Sequence, residues 1–471
     1  MKMKVSKHRV LVFLVVGAAT LWGGIDYGPY LTCPSTAGAT VQFGKSLWDS
    51  ARIDWDDSAG YFSDGSLDNS VDISSLDIRA SFSISGYSPG TLVFYKVIAG
   101  DESSPVYSFR TMPLPGSPMR FCIYGDCRTN EEVHTAVCER MFEKNPALVI
   151  HTGDLGDAAW SIDDWDSYFD ATDTIAARVP YISTIGNHEI PYDIYKYLFD
   201  LPNNEEWYAI HAGCLSIISI NVYNSYLVGS EQYNWLLATL TDSIPSTTRW
   251  IIINEHESPY STSNHGSNLI VRSVLKPLYD SLGVHVVAAG HDHCYEHSYV
   301  DGIHYFVAGG GGAPLYSVSG GEFTIHCERS YHYISAYADD EDLCFTVLSE
   351  EDVMIERFCY SDFVLGIKRV TNPSGIMLEV SPNPFNTELR IGLDFGFDIP
   401  HSPSVEIYNV NGAMVRTLSK PDRDGVSGRF TRQNLLWDGR DNSGVDLAGG
   451  CYFVVARAGG KTASKKVLLI K

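Results

Sequence analysis

Positive charge is scarce in this chain. Its 471 residues carry 34 Lys and Arg against 57 Asp and Glu, a formal net charge of −23. A balance this acidic argues against duplex nucleic acid as the main partner, because the phosphate backbone is held by basic side chains. Long apolar runs are equally sparse. Beyond residue 19 no stretch is long and apolar enough to span a bilayer as a helix. The ten cysteines are scattered singly along the chain, so no pairing follows from spacing. Cys122, Cys214, Cys344 and Cys451 fall inside strand-like segments, where the expected role is that of a small buried hydrophobe. Cys127 lies beside a candidate metal loop but is not read as a ligand.

The one apolar run is at the start. Lys2, Lys4, Lys7 and Arg9 precede the almost wholly apolar Val10–Ala19, the layout of a secretory signal with a basic n-region and a short h-region. We read residues 1–24 as a signal peptide and expect the protein to be secreted or held at the cell surface. The remaining length exceeds one ordinary core and predicts two or three domains.

The richest stretch is Ala147-Leu-Val-Ile-His-Thr-Gly-Asp-Leu-Gly-Asp157. It begins as a continuous apolar run, as a strand buried on both faces does, and turns abruptly into a Gly-Asp loop. The same design recurs. Met119–Tyr124 runs into Asp126 and Arg128, Val179–Ile185 into Asn187-His188-Glu189, Trp250–Ile253 into His256, and Val284–Ala289 into His291 and His293. Cys214–Ile220 ends at Asn221, and Ile303–Val307 ends in Gly309–Gly312. Apolar strands whose polar residues gather at the carboxyl end fit the rule for ligand sites in α/β sheets. Helical patterns alternate with these strands. Asn130 or Thr129 predicts a cap before Glu131 and Glu132, Ser230 opens a second helix, and a third over Asn268–Leu282 is interrupted near Pro277.

In order, Asp126, Gly153-Asp154, Gly186-Asn187-His188-Glu189, His256 and Gly290-His291-x-His293 resemble the motif series of the calcineurin-like metallophosphoesterases. The finer wording, His256-x-x-Pro259-Tyr260-Ser261 and Gly290-His-x-His-x-Tyr295-Glu296, is similar to the purple acid phosphatase branch. The resemblance spans roughly residues 120–358. It implies an α/β catalytic domain over 118–360, a metallophosphoesterase αββα sandwich. Its implied activity is hydrolysis of phosphate monoesters; phosphodiesters or nucleotides are the alternative substrates, and a catalytically reduced surface-binding protein the alternative class. It further implies two divalent or mixed-valence transition metals (Fe, Mn or Zn), which activate water and clamp phosphate oxygens. Asp154 would bridge them. Asn187, His256 and His291 would complete the second metal, and Asp126 and His293 would serve the first.

Here the chain departs from its relatives. Many place His two residues after the first Asp, where this sequence has Arg128, which stays protonated and cannot ligate. Purple acid phosphatases use Tyr where this sequence has Asp157, so a purple iron chromophore is not expected. Asp157 either gives its carboxylate to the first metal, the reading we favour here, or orients His188. By the same resemblance His188 is the catalytic imidazole, with Glu189 fixing its tautomer. His265 is a substrate-side His, and Arg128 either contacts substrate phosphate or pairs with Asp157. His151, His211, His304 and His326 match no motif and are read as scaffold.

Flanking segments read as all-β. Short alternating runs over 25–114 separated by Gly, Pro and Asp predict an antiparallel sandwich. Gly28-Pro-Tyr-Leu31 and Tyr107-Ser-Phe-Arg-Thr111 are similar to the fibronectin-III-like domain that precedes many purple acid phosphatase catalytic domains. Residues 361–376 read as a linker. From Met377 to Lys471 a small β-sandwich is expected, similar to Ig-like C-terminal domains of hook-capping and type IX secretion proteins. That resemblance implies a sorting or anchoring role, with secretion machinery or the cell surface as partner.

Overall fold

The computed structural model describes residues 24–74, 77–157, 165–361, 376–381, 385–395, 404–409, 412–419, 432–458 and 461–470. The signal segment, Gly24 apart, and nearly all of the 361–376 connector therefore lie outside the described residues. Among the described residues, no helix is long and apolar enough to cross a membrane. The chain divides into two compact units, Met1–Tyr333 with Tyr337–Glu341, and Ile334–Ala336 with Asp342–Lys471.

The first unit opens with strands β1 (Ile25–Ser35), β2 (Gly38–Lys45), β3 (Ala51–Asp57), β4 (Asn69–Ile73), β5 (Arg79–Ile84), β6 (Leu92–Ala99), β7 (Glu102–Ser103) and β8 (Tyr107–Arg110), with helix α1 (Ser58–Asp64) after β3. They form two antiparallel sheets, ordered β1-β2-β5 and β4-β3-β6-β7 with β8 on β6. Alternate residues of β6 point inward, and Val93, Tyr95 and Val97 meet Leu31, Val41 and Phe43 in one apolar core. Alternation of period two is what lets a sheet bury one face and wet the other.

Next come β9 (Met119–Tyr124), α2 (Glu131–Glu143), β10 (Leu148–His151), α3 (Asp166–Ala176), β11 (Tyr181–Ser183) and α4 (Asp193–Leu198). Strands β9, β10 and β11 pair in parallel, with His151 opposite Tyr124 on one side and Ser183 on the other. Helix α2 starts at Asn130, whose side chain accepts from the Val133 N–H, as the sequence predicts. Helix α3 was not legible because its leading residue, Trp165, makes no capping hydrogen bond. It carries Phe169, whose ring stacks on Tyr27 of β1 at 4.4 Å, while the Tyr95 hydroxyl donates to the Ala177 carbonyl at 2.7 Å.

A second sheet is built from β12 (Tyr208–Ala212), β13 (Leu215–Ser219), β14 (Trp250–Glu257), β15 (Val286–Gly290), β16 (Tyr295–Val300), β17 (Ile303–Ala308) and β18 (Thr324–Glu328), in the order β12-β13-β14-β15-β17-β16-β18. Its four central strands, β13, β14, β15 and β17, run parallel. Helices α5 (Glu231–Ala238), α6 (Leu269–Val274) and α7 (Lys276–Ser281) bury Leu236, Val271, Leu275 and Tyr279 against Ile218, Ile253 and Val287. Pro277 sits in the first turn of α7 and explains the break between the last two helices.

In the second unit, β20 (Leu343–Ser349) and β21 (Met354–Cys359) follow β19 (His332–Ala338) and pair antiparallel. Cys344 and Cys359 stand directly opposite and form a disulfide, with Cα atoms 4.0 Å apart. The reading of Cys344 as a lone buried hydrophobe is thereby corrected; its partner is set by strand register, which spacing does not reveal. Cys122 and Cys214 are buried free thiols, whereas Cys451 is only partly buried. Strands β22 (Ile376–Ser381), β23 (Leu389–Phe395), β24 (Ser404–Asn409), β25 (Met414–Ser419), β26 (Arg432–Trp437), β27 (Gly450–Ala458) and β28 (Lys461–Leu469) form two sheets, β22-β23-β26 and β25-β24-β27-β28. Trp437, Ile391, Ile407 and Val454 share their core.

Phe169 joins two parts of the first unit through aromatic packing alone. Phe169→Ala is expected to cost about 3–5 kcal/mol and to expose β1 to protease. An unchanged denaturation midpoint would refute this account of the contact.

Candidate metal centre

The parallel strands of both sheets deliver their carboxyl ends to one place. Asp126 follows β9, Asp154 follows β10, Asn187 follows β11, His256 ends β14 and His291 follows β15. Polar side chains tie the two sheets just beneath these loops. The Thr184 hydroxyl donates to the Ile220 carbonyl at 2.6 Å, and the Asn254 amide to the His151 carbonyl at 3.1 Å. The loops themselves are locked together, since the Asp126 N–H donates to the Gly153 carbonyl at 3.0 Å.

Asp126, Asp154 and His256 are buried, and their ligand atoms lie within 4.8 Å of one another. Around this core the other candidates converge. His293 Nε2 is 3.6 Å from Asp126 Oδ1, and His256 Nε2 is 3.4 Å from Asp154 Oδ1. Asn187 Oδ1 lies 3.3 Å from His256 Nε2 and 3.0 Å from His291 Nδ1. Bringing them this close demands unusual backbone. Asp126, Asp154 and His291 have φ of 55°, 57° and 67°, in the left-handed region, which costs about 1–3 kcal/mol per residue. Gly153, with φ 94°, leaves no space either, since a Cβ there would stand 2.6 Å from His256 Nδ1.

The imidazoles are oriented by main chain. His256 Nδ1–H donates to the Thr152 carbonyl at 2.7 Å, and His293 Nδ1–H to the Pro314 carbonyl at 2.8 Å. Each ring thereby turns Nε2 toward the carboxylates, the nitrogen left to face a metal. His188 Nδ1 is bound the same way to the Asp157 carbonyl at 2.6 Å, and its Nε2 lies 3.9 Å from Asp154 Oδ2.

Electrostatics push in the same direction. Burial, then the neighbouring Asp154, raise the Asp126 carboxyl well above its ordinary range. Burial also opposes ionisation of Asp154, but His256, His188 and Arg128 outweigh it and hold that carboxyl below its ordinary value. Burial lowers His291 to about 3 and His293 to about 4, so both are neutral lone-pair donors near neutral pH. The two adjacent buried carboxylates have the Arg128 guanidinium at one edge and are otherwise faced by imidazoles and an amide oxygen. Mixed N/O donors of this kind fit transition-metal cations such as Zn, Mn or Fe.

Arg128 makes the pair with Asp157 that was one of its two readings, whereas Asp157 and Glu189 are placed differently from the readings favoured for them. Arg128 is 14% exposed; its Nε lies 3.5 Å from Asp154 Oδ2 and its Nη1 3.3 Å from Asp157 Oδ1. The Asp157 side chain is 62% exposed and turned to that guanidinium, not into the carboxylate pair. Glu189 does not reach the His188 ring. Its carboxylate accepts from the backbone N–H groups of Asp154, Leu155, Gly156 and Gly186, because burial beside two loops leaves main-chain donors as its partners. The His188 tautomer is set instead by the Asp157 carbonyl. His265 is brought to the rim, its ring 4.1 Å from that of His291, and its N–H donates to Asp292 Oδ1 at 2.9 Å.

Sequence reasoning missed Tyr316, Tyr223 and Glu257. Tyr316 stacks on His293 at 4.1 Å, and the Tyr223 hydroxyl lies 3.5 Å from Asn187 Oδ1. Tyr223 stands two residues after Asn221 at the end of β13, so the strand-end rule pointed to its loop. Nothing local marks Tyr316.

Residues 119–295 match the family model described as calcineurin-like phosphoesterase. Among curated relatives, this segment and its surroundings are 26% identical to purple acid phosphatase 15 of Arabidopsis thaliana, over 59% of each chain. They are 30% identical to purple acid phosphatase 21 of the same plant, over 44% of this chain and 50% of the relative. The chain thus spans half to three fifths of these relatives' length. Among solved structures, a purple acid phosphatase from yellow lupin (Lupinus luteus) seeds superposes with a TM-score of 0.62, covering 73% of this chain and 77% of the other at 19% identity. That likeness shows the fold.

Four N–H donors share one carboxylate at Glu189, so an amide there turns donor against donor. Glu189→Gln is expected to cost about 2–3 kcal/mol and to weaken metal binding at the centre. Unaltered stability together with unaltered metal content would show that the two loops hold their shape without it.

Proposed function

We propose that the protein is an exported, metal-dependent phosphomonoesterase. One observation carries this reading: the convergence of Asp126, Asp154 and His256 within 4.8 Å at the carboxyl ends of two sheets. In this reading Asp126, Asp154 and His293 hold one transition metal, and Asp154, Asn187, His256 and His291 hold a second. Bound metals would supply Lewis acidity and lower the pKa of coordinated water.

The protein's own residues do the rest. Arg128 Nε is buried 3.5 Å from Asp154 without a hydrogen-bond partner and Nη1 is held by Asp157, and the guanidinium would take phosphate oxygens arriving beside Asp154 with its remaining N–H groups. Its pairing with Asp157 sets the fork's direction. Asp157 then acts through Arg128 and through its carbonyl on His188, which revises its assignment as a metal ligand. His188, with Nδ1–H tied back to the Asp157 carbonyl, turns Nε2 toward the centre, and in its doubly protonated form can pass the Nε2 proton to the leaving oxygen. His265 and Tyr316 narrow the entrance. No phenolate stands at position 157, so iron loading is expected to leave the protein colourless or nearly so.

Residues 25–114 are assigned in the same proposal to a fibronectin-III-like module, and 377–471 to an Ig-like sorting or anchoring module. Two antiparallel sheets around a shared core in each segment support these assignments. Export rests on the residue 1–24 pattern.

A panel of monoesters, diesters and nucleotides, assayed with Mn, Zn or Fe, tests the activity. Monoesters are expected to turn over fastest; hydrolysis of diesters alone would overturn the substrate assignment. Elemental analysis is expected to find two metals per chain, and a constant value of one would refute the two-site reading. His188→Ala is expected to lose about 10²–10⁴-fold in kcat with metal content retained. Loss of the metals in that variant would make His188 a ligand instead.

A further inference from the structure

Beside the second-metal residues stands a carboxylate that the proposed chemistry does not use. Glu257 follows His256 on β14 and is half-buried. Asn268 Nδ2 donates to its Oε2 at 2.6 Å, and the Tyr223 side chain hydrogen-bonds to it as well. The Tyr223 hydroxyl lies 3.5 Å from Asn187 Oδ1 and its ring 6.0 Å from that of His256. Glu257 is therefore separated from the centre by one tyrosine hydroxyl.

An ionised carboxylate offers about four acceptor positions, and Asn268 and Tyr223 occupy two. No Lys or Arg pairs with Glu257 among the described residues. Arg272 of α6 is committed elsewhere, its Nε donating to the Pro259 carbonyl at 2.8 Å and its guanidinium lying 4.1 Å from the Tyr260 ring centroid. A carboxylate with acceptor positions to spare and no basic side chain paired with it suits an ammonium group, which it can hold by charge-assisted hydrogen bonds. A polyphosphate tail entering there would meet like charge.

We propose that Glu257 and Tyr223 form a leaving-group subsite for a cationic amine, so that the preferred substrates are phosphate monoesters of small amino alcohols. This rests on the phosphomonoesterase reading. The reaction adds water across the ester P–O bond and releases inorganic phosphate and the amino alcohol. The acidic surface, net −23, would also draw a cationic group toward the protein.

The test compares kcat/KM of the metal-loaded full chain for 2-aminoethyl, 2-hydroxyethyl and propyl phosphate, in the wild type and in Glu257→Gln. The wild type is expected to favour the aminoethyl over the propyl ester at least about fivefold, with this ratio falling toward one in Glu257→Gln. Raising ionic strength should shrink the wild-type ratio too, a measurement that needs no variant. A wild-type ratio near one, or a ratio that Glu257→Gln preserves, overturns the subsite. Equal use of the hydroxyethyl and aminoethyl esters also overturns it, since a neutral donor would then suffice. If these three esters and an aryl phosphate all resist hydrolysis, the phosphomonoesterase reading falls, and the subsite with it.

Discussion

Asp126 and Asp154 place two carboxyl groups side by side where almost no water reaches them. In a low-dielectric setting two like charges at this range oppose each other strongly. The pair responds as coupled groups do, one carboxyl pushed up and the other held down. Such an arrangement persists in a folded protein when cations relieve it. The imidazoles and the amide oxygen around the pair would supply the remaining ligands, so the whole centre is organised by this one electrostatic constraint.

The scaffold holds that constraint with backbone more than with side chains. Three candidate ligands sit in left-handed conformations, His256 and His293 are each oriented by a carbonyl, and Glu189 gathers four main-chain N–H groups from two loops. Parallel strands explain why this is feasible. Their polar loops all emerge at one end, and the apolar strands beneath are fully buried, which keeps the loop ends from shifting. Strain at the ligand positions is offset by the packed sheets below.

Arg128 distinguishes this centre within its resemblance. A guanidinium with fixed charge takes the place where many relatives have an imidazole, and its pairing with Asp157 follows from simple reach. That pairing leaves the anionic Asp154 with a permanent cation at one edge. Phosphate binding there would rely on a residue that cannot lose its charge near neutral pH.

How much could be read beforehand varies by residue. The strands ending in Asp126, Asp154, Asn187, His256 and His291 were legible because apolar runs and Gly-flanked polar loops are local patterns. So were the Asn130 and Ser230 caps and the break at Pro277, each a matter of adjacent residues. Helix α3 was not, since it has no capping side chain. The Cys344–Cys359 bond, the Arg128–Asp157 pair, the turning of Glu189 away from His188, and the arrival of Tyr223, Tyr316 and Glu257 at the rim were decided only in three dimensions. Each depends on which distant backbone group or strand partner lies within a few ångströms. Residue order settles which side-chain types stand at the strand ends; packing in three dimensions settles which of their atoms face one another, because a hydrogen bond is set by distance and direction, and neither is written in the order of residues along the chain.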